Sequence, residues 1–273
     1  MKQMTLRDIQ MESLEIMKEV HRFCVANDIN YSLAYGTLIG SIRHKGFIPW
    51  DDDLDIIMLR PDYEKFCRTF KADGYEVVSR ETRKDCLVSF ARVCDTRKTS
   101  IKTMEPWIRN LGDLGVWIDI FPIDSVPDDF DSYHKMYLIM EDFYEKGLKK
   151  RKTLRPFTKE RPLKYNINTL KKKVFGLFSK KLEYYLDVKD EMIKSIPFGS
   201  TSHMSQLACP DQEIYFDADI MNGYHLEPFE DSKFYVIDKY DEFLKIAYGN
   251  YMELPPEDQR QPQQNYVFFY WKD

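Results

Sequence analysis

The chain has 273 residues, 43% of them hydrophobic and 15% aromatic, a make-up that excludes an extended disordered protein and is ample for a full core. Net charge is only −5, but residues 146–181 hold fourteen Lys or Arg against one acid, Glu160, which puts +13 there and about −18 on the remainder. The opening MKQMTLRDIQMESLEIMKEV lacks the apolar centre of a signal peptide, no window reads as a membrane span, and the five cysteines (Cys24, Cys67, Cys86, Cys94, Cys209) contain no C-x-x-C, so a cytoplasmic protein with reduced thiols is expected.

In chain order, Thr5 and Asp8 have capping-box spacing, and Ile9, Ile16, Met17, Val20 and Phe23 recur at helical intervals up to Asn27. Tyr31 to Tyr35 reads as a short strand broken at Gly36, and Thr37 to His44 as a helix in which Gly40 and Ser41 allow close backbone approach. Leu54 to Leu59 is strand-like, and Pro61 suits the first turn of a helix running to Phe70, with Gly74 beyond it. Strands are predicted at Tyr75 to Ser79, Leu87 to Val93 and Gly115 to Phe121. After Pro127 a helix from Phe130 to Lys150 leads into the basic stretch, broken by Pro156 and Pro162. One long helix is predicted from Asn168 to Ile196, with the apolar stripe Leu170, Val174, Leu177, Phe178, Leu182, Tyr185, Met192 and Ile196. Ser200 to Glu230 reads as short strands and loop, and a last helix as Phe234 to Tyr248, ending at Gly249.

Alternating strands and helices in the first 125 or so residues predict an α/β or α+β fold, the α+β form being a mixed β-sheet flanked by helices with a helical, basic part added to it. The expected division is 1–128 as core, 129–200 as a helical basic region and 201–273 as a segment that returns to complete the core, all in one compact unit.

Four aspartates in five positions, Asp51, Asp52, Asp53 and Asp55, open the apolar run Leu54, Ile56, Ile57, Met58. Carboxylates this close repel, so the pattern calls for a solvated turn or a cation. Residues two apart on a strand share a face, which sets Asp53 beside Asp55 as Mg²⁺ prefers when it also binds substrate phosphates. A calcium loop starting at Asp51 is excluded, because its sixth and twelfth positions hold Ile56 and Asp62 instead of Gly and Glu. Asp119 lies inside the apolar VWIDIF, where an unpaired charge is costly. It either shares a metal with Asp53 and Asp55, or caps a turn, or pairs with Arg92 on a neighbouring strand. Gly36 and Thr37 form a strand-to-helix turn that offers backbone N–H groups to phosphate, the alternative being an ordinary turn. Arg43 and Lys45 follow as candidate phosphate clamps, against the plainer reading that RHK is a solvated helix end.

The segment AYGTLIGSIRHKGFIPWDDDLDIIMLRPDYEKF, with GVWIDIFPIDSVPDD and YGNYMELPPEDQR, resembles the LicD family of phosphotransferases, related to the fukutin proteins. The resemblance implies a nucleotidyltransferase-like fold and transfer of a phospho-head group from a CDP-activated donor, most often CDP-choline, to a hydroxyl of a glycan such as teichoic acid or lipopolysaccharide, with CMP released. It implies Mg²⁺, or Mn²⁺, on Asp53, Asp55 and Asp119, with Asp119 as general base, and substrate contacts at Gly36, Thr37, Arg43, Lys45, Trp50 and Arg260. The His that often follows the last block is absent here, since QPQQNYVFFYWKD follows Arg260. Ribitol, glycerol or ethanolamine derivatives fit the same chemistry, and other readings are nucleotidyl transfer with pyrophosphate release or a non-enzymatic binding protein.

A choline head group needs aromatic faces, and Trp50, Trp107, Trp117 and Tyr35 are the candidates near the motifs, each also a natural core residue. The basic segment 146–181 reads in two ways. Its apolar stripe could dip into an anionic membrane face, or, the favoured expectation, pack on the body and leave the lysines solvated. Nucleic-acid binding is not expected, because no recognised module accompanies the charge.

Overall fold

A computed structural model describes residues 1–84, 86–103, 113–159, 162–210, 212–262 and 267–273, with the side chain of Phe175 outside that set. Helix α1 spans Leu6–Ala26 and begins as its sequence dictates: Thr5 Oγ1 accepts from the Asp8 N–H while the Asp8 carboxylate accepts from the Thr5 N–H. Its apolar side, with Leu14, Met17 and Val20, is fully buried. Strand β1 (Ser32–Leu33) follows, then α2 (Tyr35–Ile39), which continues as a π-helical turn over Gly40–His44. Next come β2 (Asp55–Leu59), α3 (Arg60–Thr69), β3 (Tyr75–Val78), β4 (Ala91–Asp95), β5 (Thr99–Thr103) and β6 (Trp117–Val126).

Every residue of β6 is buried, and β6 is the spine of a seven-stranded mixed sheet in the order β1-β2-β6-β4-β3, with further strands β7 (His203–Ser205) and β8 (Phe216–Asp217). β2 runs parallel to β6 and β4 antiparallel on the other side, so Asp55, Asp119 and Arg92 stand abreast across three strands. Pro122 lacks an N–H, and it sits between the end of β4 pairing at Ile120 and the start of β7 pairing at Asp124, where one missing donor disturbs the ladder least. Parallel pairing of β2 with β6 buries both faces, which explains continuous apolar runs in place of alternation.

Helices α4 (Phe130–Thr153), α5 (Leu163–Gly176) and α6 (Leu182–Lys194) lie beyond the sheet, with α4 packed on both α5 and α6. The chain then returns: β9 (Tyr224–Phe229) and β10 (Ser232–Ile237) form an antiparallel hairpin, α7 (Tyr240–Tyr248) follows, and β11 (Val267–Trp271) pairs with β5. One cluster of buried side chains runs from Met4 to Phe269, so both ends of the sequence contribute to the same core.

Several predicted elements move. The long helix 168–196 is two helices, broken after Gly176 and restarted by Leu182, with a turn between them in which the Ser179 N–H donates to the Gly176 carbonyl. Its stripe divides accordingly. Leu182 and Tyr185 are buried, whereas Leu170, Val174, Leu177 and Phe178 are exposed, which overturns the expectation that the whole stripe packs on the body. The predicted helix 234–248 is half strand: the β-rich FYVI joins β10, and helix begins only at Tyr240. The strand predicted at 87–93 starts at Ala91 and extends to Asp95. All five cysteines are free thiols, and among the described residues no helix is long and apolar enough to cross a membrane.

Candidate active site

The acidic loop is held from three directions by groups that the local sequence supplies. Tyr35 turns the chain from β1 into α2 with a left-handed φ of 49°, a conformation that costs about 1 kcal/mol or more in a bulky residue and must be imposed by its surroundings. Gly36 follows, and a Cβ there would lie 2.7 Å from Asp51 Oδ2, so glycine is what lets the acidic loop approach the turn. Thr37 Oγ1 accepts from the Asp55 N–H at 2.9 Å, and the Asp119 N–H donates to the Leu54 carbonyl at 2.9 Å. From α1, the buried Gln10 amide donates to the carbonyls of Asp51 (2.8 Å) and Ile48 (3.3 Å). A further brace lies upstream, where Glu230 accepts from the Phe47 N–H at 3.1 Å while gripped by Arg7 through both carboxylate oxygens.

Held in this way, Asp51, Asp52 and Asp53 each present a carboxylate oxygen within 4.8 Å of the other two. Among the described residues they are the group whose oxygens converge closely enough to share one ion; Asp53 also belongs to the set Asp53, Asp55, Asp119 expected from sequence. Asp55 and Asp119 face each other across the parallel β2–β6 pair, and Arg92 Nε donates to Asp119 Oδ1 at 2.7 Å. The Arg92 pairing weighed from sequence is therefore present, and Asp119 takes part in it while lining the same cavity as Asp53 and Asp55.

The electrostatics are those of crowded carboxylates. Burial, with Asp53 and Asp52 close by, pushes Asp51 up to about 8. Burial, and then the charges of Asp53, Asp119 and Asp51, raise Asp55 well above the usual carboxylate range. Asp119 is raised by burial too, while the ion pair with Arg92 pulls it back down. Arg92 is buried, with its guanidinium 4.6 Å from the Trp117 ring centre. Crowded, partly buried carboxylates, all of them hard oxygen donors, are a setting that a divalent cation fits.

The acidic edge forms one wall of a cavity of about 680 Å³. Gly36, Arg43, Trp50, Asp53, Asp55 and Asp119 all line it. Thr37, Lys45 and Arg260 do not. Thr37 is buried beneath the loop as the acceptor for Asp55, and Lys45 turns away to Glu227 on β9, with Nζ 3.5 Å from its carboxylate. Arg43 donates to the carbonyls of Tyr251 (2.6 Å) and Glu253 (3.1 Å), so it fastens the C-terminal YGNYMELPPEDQR segment over the site. Arg260 places its guanidinium 5.5 Å from the Trp50 ring centre, and its Nε donates to the Pro255 carbonyl. Of the aromatic candidates, Trp50 and Tyr35 line the cavity, Trp117 is buried against Arg92 and Phe269 instead, and Trp107 lies outside the described residues.

Sequence reading did not single out Phe121, Gln206, Cys209, Gln212, Tyr248 or Tyr251, which complete the walls. Phe121 was within reach, being two residues beyond Asp119 on one strand and hence on the same face. Gln206, Cys209 and Gln212 come from loops that carry no local signal, whereas Tyr248 ends α7 and Tyr251 follows it within the YGNYMELPPEDQR block.

A family model described as LicD/FKTN/FKRP, nucleotidyltransferase domain, matches residues 28–161. Over 281 aligned residues the chain is 32% identical to the lipopolysaccharide cholinephosphotransferase LicD of Haemophilus influenzae, with 96% of this chain and 97% of that protein covered. Shorter similarities reach uncharacterized proteins of Rickettsia typhi (39% identity, 23% of this chain and 21% of that one) and Rickettsia prowazekii (28%, 45% and 43%).

Proposed function

The chain belongs to the LicD/FKTN/FKRP family and is a phosphotransferase, and from that premise we propose that it moves phosphocholine from CDP-choline to a hydroxyl of a cell-surface glycan, releasing CMP. The glycan class follows the named Haemophilus relative, a lipopolysaccharide enzyme, and a teichoic-acid precursor offers the same chemistry. The observation that carries the reading is the shared cavity. Asp51, Asp53, Asp55 and Asp119 converge on a space of about 680 Å³ that Tyr35, Trp50, Phe121, Tyr248 and Tyr251 also line. That size suits a nucleotide-sized ligand.

The ion proposed is Mg²⁺ or Mn²⁺, held by Asp53 with Asp51, Asp52, Asp55 and Asp119 around it, where it would offset the charge of the donor diphosphate. In the proposed reaction Asp119 accepts the proton of the acceptor hydroxyl as that oxygen bonds to phosphorus. The bond from phosphorus to the CMP oxygen breaks, and CMP leaves with the electron pair. Arg92 holds the Asp119 carboxylate by its Nε contact of 2.7 Å and so fixes the direction from which the proton is taken. A choline ammonium has no N–H to donate, and the faces of Trp50, Tyr35 and Tyr251 are what this chain offers it.

The test is CMP release by the purified protein with Mg²⁺ and a panel of CDP-activated donors, with and without glycan acceptors, alongside Asp53→Asn and Asp119→Asn. Metal-dependent CMP from CDP-choline, absent in both folded variants, is the expected result. Pyrophosphate from a nucleoside triphosphate in place of CMP would move the protein to nucleotidyl transfer, and near wild-type turnover in Asp119→Asn would remove that residue from the chemistry.

A further inference from the structure

Helix α5 sits on the body the wrong way round for a helix that ends at water. Among its described side chains the buried positions are Thr169 and Gly176, two turns apart, with half-buried Tyr165 one turn before Thr169, and Gly176 lies so close to α4 that a Cβ would meet Thr153 Cγ2 at 2.9 Å. The apolar residues Leu163, Ile167, Leu170 and Val174 recur three or four positions apart and are all exposed. At about 100° per residue this row points roughly opposite to Thr169 and Gly176. The turn that follows adds Leu177 and Phe178, 81% and 88% exposed, the most exposed large apolar side chains described. An inward face of Tyr165, Thr169 and Gly176 and an outward face of leucine, isoleucine and valine is the reverse of a helix folded against its own core.

The charge around this row selects what covers it. Residues 162–181 carry six lysines and no acid: Lys164, the run Lys171–Lys173, and Lys180–Lys181. A second copy of the chain would bring lysine against lysine across a two-fold interface, with the same-sign charge opposing the apolar gain. An anionic surface meets both demands. At 14 residues α5 is about 21 Å long, too short to span a bilayer and suited to lying along one.

We propose that α5 and the Leu177–Phe178 turn dock this protein on an anionic lipid surface, with the apolar row in the acyl boundary and the lysines at the headgroups. The proposal does not depend on the reaction catalysed. A lysine near an anionic leaflet contributes about fivefold in partitioning, so neutralising Lys171, Lys172 and Lys173 together weakens binding on the order of a hundredfold.

The experiment is co-sedimentation of the full chain with vesicles of phosphatidylglycerol and phosphatidylcholine, and of phosphatidylcholine alone, at low and high salt. It is repeated for Leu177→Ser/Phe178→Ser and for Lys171→Gln/Lys172→Gln/Lys173→Gln. Leu177, Phe178, Lys171 and Lys172 are exposed and Lys173 is half-buried with its Nζ 5.6 Å from the Phe157 ring centre, so the first variant should melt within a degree or two of the parent and the second within a few degrees. Binding to the anionic vesicles that falls with salt and is lost in both variants is expected. No sedimentation with anionic vesicles at low salt overturns the proposal, and so does equal, salt-independent binding to phosphatidylcholine alone. A concentration-dependent dimer in sedimentation velocity that Leu177→Ser/Phe178→Ser abolishes would assign the face to a second copy instead.

Discussion

Replacing Arg92 with Met probes the electrostatic frame of the site more directly than removing any carboxylate. Arg92 is 8% exposed, its Nε is 2.7 Å from Asp119 Oδ1, and its guanidinium lies 4.6 Å from the centre of the Trp117 ring. Methionine fills most of the same space, so packing on Trp117 is largely kept while the charge is lost. What remains is a buried Asp119 without its ion-pair partner, beside Asp55, itself already raised by burial and neighbouring carboxylates. Breaking a buried pair from one side costs about 3–5 kcal/mol. In a chain of this size about 2–4 °C of melting temperature goes with each kcal/mol, so a fall on the order of 10 °C is expected in metal-free buffer. Adding Asp119→Asn removes the orphaned charge and should restore about half of the loss, which makes the two changes non-additive. Thermal and urea unfolding of the two single variants and the double variant measures this cycle. A loss under about 1 kcal/mol for Arg92→Met, or strict additivity with Asp119→Asn, would refute the view that Arg92 compensates the buried carboxylates.

Gly36→Ala introduces a Cβ 2.7 Å from Asp51 Oδ2, and because Asp51 sits on a loop the carboxylate gives way instead of the turn. CMP release should drop about a hundredfold, as a displacement near 1 Å does at a reacting centre, with only a small change in melting temperature; unchanged turnover would show that Asp51 placement is irrelevant. Lys189 on α6 is buried, donates to the Ala208 carbonyl at 2.9 Å, and burial lowers it from 10.5 to about 8. Between those values the unfolded chain holds a proton that the folded chain has released, so this residue makes stability rise with pH from about 8 to 10.5. Urea midpoints of Lys189→Met across that range should lose this upward slope, and a slope identical to the parent would contradict the assignment.

The local chemistry of the site is written in short stretches. The capping box at Thr5 and Asp8, the Gly36 turn, the acidic loop and the pair of apolar strands behind it follow from rules that act over a few residues, and the structure realises each of them. Asp119 was legible as unusual for the same reason, since a charge inside VWIDIF must be compensated somewhere. The partner was settled only by strand order. Arg92 reaches Asp119 because β4 lies against β6 on the side away from β2, and no periodicity contains that fact.

Other assignments turned on contacts between distant segments. Phe234 to Ile237 became strand because β9 offered it a hairpin partner, which outweighed the helical pattern continuing into α7. Arg43, weighed from sequence as a phosphate clamp, lines the cavity and also donates to the carbonyls of Tyr251 and Glu253, which the chain brings to it from more than two hundred residues later. The stripe from Leu170 to Ile196 shows the limit most plainly. Its spacing specifies which residues share a face of a helix, and the sequence alone determined that much. Whether that face meets the core or the solvent depends on what α4 presents, and at α5 it presents a surface that approaches Gly176 too closely for a side chain. Periodicity is local geometry, whereas burial is a property of the neighbour, so the outward turn of α5 was decided in the tertiary structure.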